Sequence, residues 1–129
     1  MKTDKPPVAP EISPEAKPFW DAANEGRLVV ATCLDCGRGH HYPRALCPHC
    51  HSTRLEFREA QAPARIYSFS VVGSGAGQHV IAYVEIADRV AMMTNIVGCP
   101  PESVHIGQAV MPVFVESAGA QKVVMFTAA

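Results

Sequence analysis

Beyond residue 64, apolar and polar positions alternate in runs of seven to nine residues, separated by short clusters of glycine, aspartate, proline and serine. A period of two is the signature of strands with one buried face. Five strands are predicted, at Arg65–Val72, His79–Ala87, Val90–Val97, Ala109–Ser117 and Gln121–Thr127. The breaks between them are Gly73-Ser74-Gly75-Ala76-Gly77, the two-residue turn Asp88-Arg89, the longer stretch Gly98–Gln108, and Ala118-Gly119-Ala120. In the first strand the alternation puts Tyr67, Phe69 and Val71 on one side and Ile66, Ser68, Ser70 and Val72 on the other. Five antiparallel strands with one long connection before the fourth suit a small closed barrel of the OB type, in which closure removes exposed edges. A two-sheet sandwich would more usually need about seven strands.

The first half of the chain has a different rhythm. Ser13-Pro14-Glu15 reads as a helix start, with a hydroxyl cap followed by proline, but Pro18 would break a helix already under way. The regular part is therefore predicted over Phe19–Glu25, with Gly26 as its stop. Phe19, Ala22 and Ala23 share one face, with Trp20 beside them; the two aromatic rings either cover the next module or anchor a partner chain. Arg27–Thr32 and Leu55–Glu59 have strand character and, with His40–Pro43, would make a three-stranded ribbon. Residues 1–12 are proline-rich without period and read as a tail. The breaker Gln61-Ala62-Pro63-Ala64 divides a helix and ribbon at 13–59 from a barrel at 60–129.

The ribbon carries the clearest chemistry. Cys33-Leu34-Asp35-Cys36-Gly37 and Cys47-Pro48-His49-Cys50 are two Cys-x-x-Cys turns, with ten residues between Cys36 and Cys47. Two thiolates on one tight turn can face a single ion, and a second such turn completes a tetrahedron of sulfur. Cys33, Cys36, Cys47 and Cys50 are thus the predicted ligands of a structural Zn²⁺, and iron suits the same cage. Four sulfurs leave no open position for water or substrate, so His40, His41, His49 and His51 are not expected as ligands and the metal is not expected to act as a Lewis acid. A ribbon this small has almost no core of its own, so the ion must supply most of its folding energy. Cys99, outside both pairs, lacks any recognisable base or oxyanion motif and reads as a small apolar residue.

Composition narrows the classes. Of 129 residues, 48% are hydrophobic and 18% charged, which suits a chain with a packed core. The first ten residues are polar and proline-rich without the apolar run of an export signal, and no stretch is long enough to span a bilayer. With thiols spaced for metal, this places the chain in a reducing cytoplasm as an expectation. The formal charge is -1, and four thiolates with one Zn²⁺ bring it to about -3. That balance, with 7% aromatic residues, disfavours the alternative of a nucleic-acid module, although ribbons and OB barrels both serve as such. No nucleophile, base and orienter occur together in a motif, so a free-standing enzyme is disfavoured too.

Lys17-Pro18-Phe19-Trp20, Gly26-Arg27-Leu28, Cys33-x-x-Cys36-Gly37, Tyr42-Pro43-Arg44, Cys47-Pro48-x-Cys50, Ile66-Tyr67-Ser68 and Phe126 fall in an order that resembles the DUF35 family, acyl-CoA-associated OB-fold proteins with an N-terminal rubredoxin-like zinc ribbon. The resemblance covers residues 13–127. It implies a non-catalytic scaffold subunit, forming a hetero-oligomer with a thiolase-like protein such as a thiolase or a retro-aldolase of steroid side-chain degradation, or standing beside an acyl-CoA hydratase. Acyl-CoA would then be nearby through the partner. Its phosphates call for charge-assisted donors, which makes Arg38, Arg44 and Arg65 candidates for partner or CoA contact beside Phe19 and Trp20. The sequence departs from the family at His51, where glycine is usual, and at Ala62-Pro63-Ala64, where a glycine-rich turn is usual.

Overall fold

The computed structural model describes residues 6–60 and 63–129. Met1–Lys5 of the expected tail and Gln61-Ala62 of the expected breaker lie outside the described residues. The chain begins with a single tight turn, Pro14–Ala16, that runs into helix α1, Lys17–Asn24. Pro18 sits in the first turn of α1, where a missing N–H costs nothing. Ser13 does not cap with its hydroxyl; its carbonyl accepts the Ala16 N–H instead, at 3.0 Å. Phe19, Ala22 and Ala23 form the buried face, as their spacing predicts. Gly26, at φ +77°, ends the helix in the left-handed conformation that glycine tolerates. Polar contacts then fix α1 to the far end of the chain: the Asn24 amide donates to Gln121 Oε1 at 3.1 Å, and its oxygen accepts the Lys122 N–H at 2.9 Å.

Three strands follow: β1, Val29–Cys33; β2, Gly39–His40; and β3, Leu55–Glu59. They form an antiparallel sheet in the order β2-β1-β3. β2 is shorter than the expected His40–Pro43. His41 and Tyr42 leave the ladder to pack their rings against Phe19, with centroids 5.1 and 6.3 Å away, and Pro43 has no N–H to donate.

The remaining strands are β4, Ala64–Val72; β5, His79–Ala87; β6, Val90–Ile96; β7, Ala109–Glu116; and β8, Lys122–Ala128. They close into an OB-like barrel in the order β4-β5-β6-β8-β7. Ala64↔Val110 and Arg65↔Ala109 join β4 to β7, and the parallel pair Ile96↔Phe126 joins β6 to β8. The expected grouping of Tyr67 with Phe69 and Val71 does not hold. A β-bulge between Ile66 and Ser68 shifts the phase, so that Tyr67 is 67% exposed while Phe69, opposite buried Ala82, packs on the core. One extra residue in a strand is enough to reverse its faces.

Ribbon, helix and barrel share one apolar cluster, in which Phe19, Leu28, Val29 and Val30 meet Ile66, Val84, Ile86, Val90 and Phe126. Gly39 lets the sheets approach: a Cβ there would lie 3.0 Å from Val90 Cγ2 and 3.3 Å from Val30 Cγ1. The described part of the tail lies by the β7–β8 turn, where the Pro7 carbonyl accepts the Ala118 N–H at 2.9 Å. Among the described residues, no helix is long and apolar enough to cross a membrane.

Candidate metal centre

Two turns of matching design meet at the end of β1. In the first, the Gly37 N–H donates to the Cys33 carbonyl at 3.0 Å and the Cys36 N–H points to Cys33 Sγ at 3.5 Å. In the second, the His51 N–H donates to the Cys47 carbonyl at 2.9 Å and the His49 N–H points to Cys47 Sγ at 3.4 Å. Each turn closes on a left-handed residue, Gly37 at φ +77° and His51 at φ +66°. Asp35 braces one turn against the other by accepting from the Ser52 hydroxyl and the Arg54 guanidinium. The Ser52 hydroxyl, with Arg54, holds its carboxyl below the ordinary aspartate value.

The four sulfurs lie within 4.8 Å of one another, with Cys33–Cys50 at 3.6 Å and Cys36–Cys47 at 3.7 Å. Around an ion with Zn–S bonds of about 2.3 Å, a regular tetrahedron has edges of about 3.8 Å. The Cys33–Cys50 and Cys36–Cys47 edges match that tetrahedron, and the donor set fits a four-sulfur ion. Cys33 and Cys47 are buried, Cys36 and Cys50 exposed. The Cys36 N–H draws the Cys33 thiol down to about 6. Cys50 is pushed up to about 12: the Ser52 N–H favours its thiolate, but Cys33 and the other close sulfurs outweigh it. Adjacent thiolates repel, so all four ionise together only around a cation, and metal uptake must release protons.

Among the described residues, no histidine joins the cluster. His40 is 6% exposed, its Nε2 accepts the Arg44 backbone N–H at 3.3 Å, and its buried Nδ1 has no partner among the described residues. Burial, then the charge of Arg44, lowers its pKa. His41 packs against Phe19 and Tyr42, and burial brings it down to about 4. The unfolded chain takes up a proton near 6.5 while the folded His41 stays neutral until about 4. Stability is thus present above pH 6.5 and is lost as pH falls through this window, by up to about 3 kcal/mol. Urea unfolding of the wild type and of His41→Phe between pH 7 and pH 4 checks this: the variant should show the shallower loss, and parallel curves would refute it.

His51 gives a second prediction. A β-carbon in the left-handed region costs about 1 kcal/mol or more, so His51→Gly should raise stability by about 0.5–1 kcal/mol, read as an increase in Tm.

The structure scatters the other candidate residues. Phe19 is 2% exposed and belongs to the core cluster. Trp20 is half-buried and donates from Nε1 to the Tyr42 hydroxyl at 2.7 Å. Arg44 is exposed on the loop after His40, and Arg65 reaches the Gly107 carbonyl at 3.1 Å. Arg38 stands apart from both, in a cleft with Arg58 and Arg89. Sequence reading missed that grouping, because three positions on three different elements carry no local signal. Cys99 is half-buried against the core, and His105 Nδ1 lies 3.2 Å from the Ser103 carbonyl.

Comparison with known proteins accounts for both halves of the chain. The family described as the ChsH2 rubredoxin-like zinc ribbon domain matches residues 20–56, and the ChsH2 C-terminal OB-fold domain matches residues 57–115. A DUF35 domain-containing scaffold protein of Methanothermobacter thermautotrophicus is 32% identical over 94 residues, covering 67% of this chain and 71% of that one. The chain belongs to the DUF35 family. A second DUF35 scaffold protein, from Methanocaldococcus jannaschii, is 31% identical, covering 67% of each chain. A probable enoyl-CoA hydratase alpha subunit of Thermomonospora curvata is 33% identical over 99 residues; they make up 72% of the DUF35 chain described here but only 31% of that relative. Among solved structures, the Ltp2-ChsH2(DUF35) aldolase superposes with a TM-score of 0.82 at 28% identity, covering 93% of this chain and 98% of the other. A DUF35 protein of unknown function from Sulfolobus solfataricus, with a TM-score of 0.70 and 17% identity, shares the fold.

Proposed function

We propose that this DUF35 protein is a zinc-clamped, non-catalytic scaffold subunit that binds a thiolase-fold enzyme acting on acyl-CoA, of thiolase or retro-aldolase type, in a reducing cytoplasm. The observation that carries the reading is the four-sulfur cage. Cys33, Cys36, Cys47 and Cys50 would hold Zn²⁺ with every ligand position filled, so the ion contributes folding energy and rigidity and no site for substrate. Support comes from relatives named as scaffold proteins and from a structural neighbour named as part of an aldolase. In this reading residues 13–59 form the clamped docking half and residues 60–129 the barrel that backs it, with residues 1–12 as a tail. Trp20, Tyr42 and Arg44 would present side chains to the partner, and Arg38 and Arg65 would assist with its CoA ester.

Expression with the neighbouring genes, followed by affinity purification, tests this. Recovery of a thiolase-like protein in stoichiometric amount, weakened by Arg44→Glu, is the expected result. Purification of a chain that stays alone beside a soluble thiolase-like protein would refute it.

A further inference from the structure

A cleft of about 490 Å³ opens where the ribbon meets the β5–β6 turn. Its cationic walls come from three separate elements: Arg38 follows the first cysteine turn, Arg58 lies on β3, and Arg89 forms the hairpin tip. Val30, Ala60 and Val90 give it an apolar lining. Its acids do not cancel these cations. Glu59 is ion-paired with Arg27 at 3.3 Å, which leaves Asp88 as the one lining acid without an ion pair among the described residues. Arg58 is paired with Glu56, whereas Arg38 and Arg89 have no ion pair among the described residues. Arg38 stands on the ribbon side of the cleft, two residues beyond Cys36, and Arg89 on the barrel side.

Arg89 occupies the left-handed region at φ +57°, in a two-residue hairpin turn where asparagine or glycine is the unstrained choice. The turn thus bears a conformational cost and gains a guanidinium at the rim of a cavity. Planar guanidinium groups pair with phosphate oxygens in a bidentate manner, and an apolar floor suits an aromatic base. The volume falls within the range of about 300–1,000 Å³ typical of small-molecule pockets.

We propose that this cleft binds a phosphorylated nucleotide, with the phosphates on Arg38, Arg58 and Arg89 and the base against Val30, Ala60 and Val90. Arg38 is common to this site and to the scaffold reading, but the cleft is lined by this chain alone, so nucleotide binding is tested without a partner and its failure is distinguishable from failure of partner capture.

Calorimetric titration of the zinc-loaded full chain with ADP, inorganic pyrophosphate and adenosine at low ionic strength tests it. Saturable binding of ADP and pyrophosphate, with adenosine much weaker, is expected. Arg89→Gly should weaken ADP binding by about tenfold or more while leaving Tm unchanged or higher, because glycine relieves the turn as the guanidinium is removed. Arg38→Ala should weaken it similarly, whereas Lys17→Ala, whose ammonium pairs with Asp21 on α1 outside the cleft, should not. Absence of saturable binding by ADP and pyrophosphate, full affinity in Arg89→Gly and Arg38→Ala, or an equal loss in Lys17→Ala would overturn the proposal.

Discussion

Withdrawing the metal with a chelator is expected to unfold residues 27–59, with amide protection lost across β1 and β3. Structural zinc sites contribute on the order of 10–16 kcal/mol, which exceeds the whole stability of many domains. The ribbon has no substitute for it: β1 is buried throughout, but β2 spans only Gly39–His40 and the cysteine turns bring no apolar cluster of their own. Because Val29, Val30 and Phe19 also pack into the barrel cluster, the loss should spread and lower the stability of β4–β8. Cys47→Ser, which removes a buried sulfur of the four-cysteine cluster, should reproduce the effect without a chelator. Hydrogen exchange read by mass spectrometry, with metal content measured in parallel, checks it; a ribbon still protected in a metal-free sample would refute it. The spectrum of the purified protein also separates the two candidate ions, since a four-thiolate iron site is coloured and a zinc site is not.

The second large effect is expected in the barrel. Phe126 is fully buried, and its register ties it to Ile96 of β6 and to Pro112 of β7 at the seam where the sheet closes. Phe126→Ala should cost about 3–5 kcal/mol, the transfer free energy of the ring plus that of the cavity left behind. Met93→Ala, at a side chain 62% exposed, should change stability by less than about 0.5 kcal/mol. Urea titrations of the two variants against wild type measure the contrast directly.

What the sequence revealed follows from how local each signal is. The five barrel strands were legible to within one or two residues because their alternation and their turn residues are local, from Asp88-Arg89 to Ala118-Gly119-Ala120. The four-cysteine cluster was legible for the same reason, since Cys-x-x-Cys encodes its own turn. The bulge at Tyr67 was not, because nothing in Ile66-Tyr67-Ser68 marks an extra residue until β5 supplies the opposing register. Nor was the short β2: His41 and Tyr42 leave their strand for Phe19, a contact spanning more than twenty positions. The arginine cleft lies furthest from sequence reading. Arg38, Arg58 and Arg89 line one cleft from three separate elements, beside the close approach of Gly39 to Val90.

The central claim is that this chain shapes a complex whose chemistry belongs to another polypeptide. Turnover of acyl-CoA thioesters, assayed with the purified chain alone and with its stoichiometric complex, tests it most directly. The account predicts activity in the complex and none in the chain by itself. Turnover at an enzyme-like rate by the isolated, homogeneous chain would contradict it.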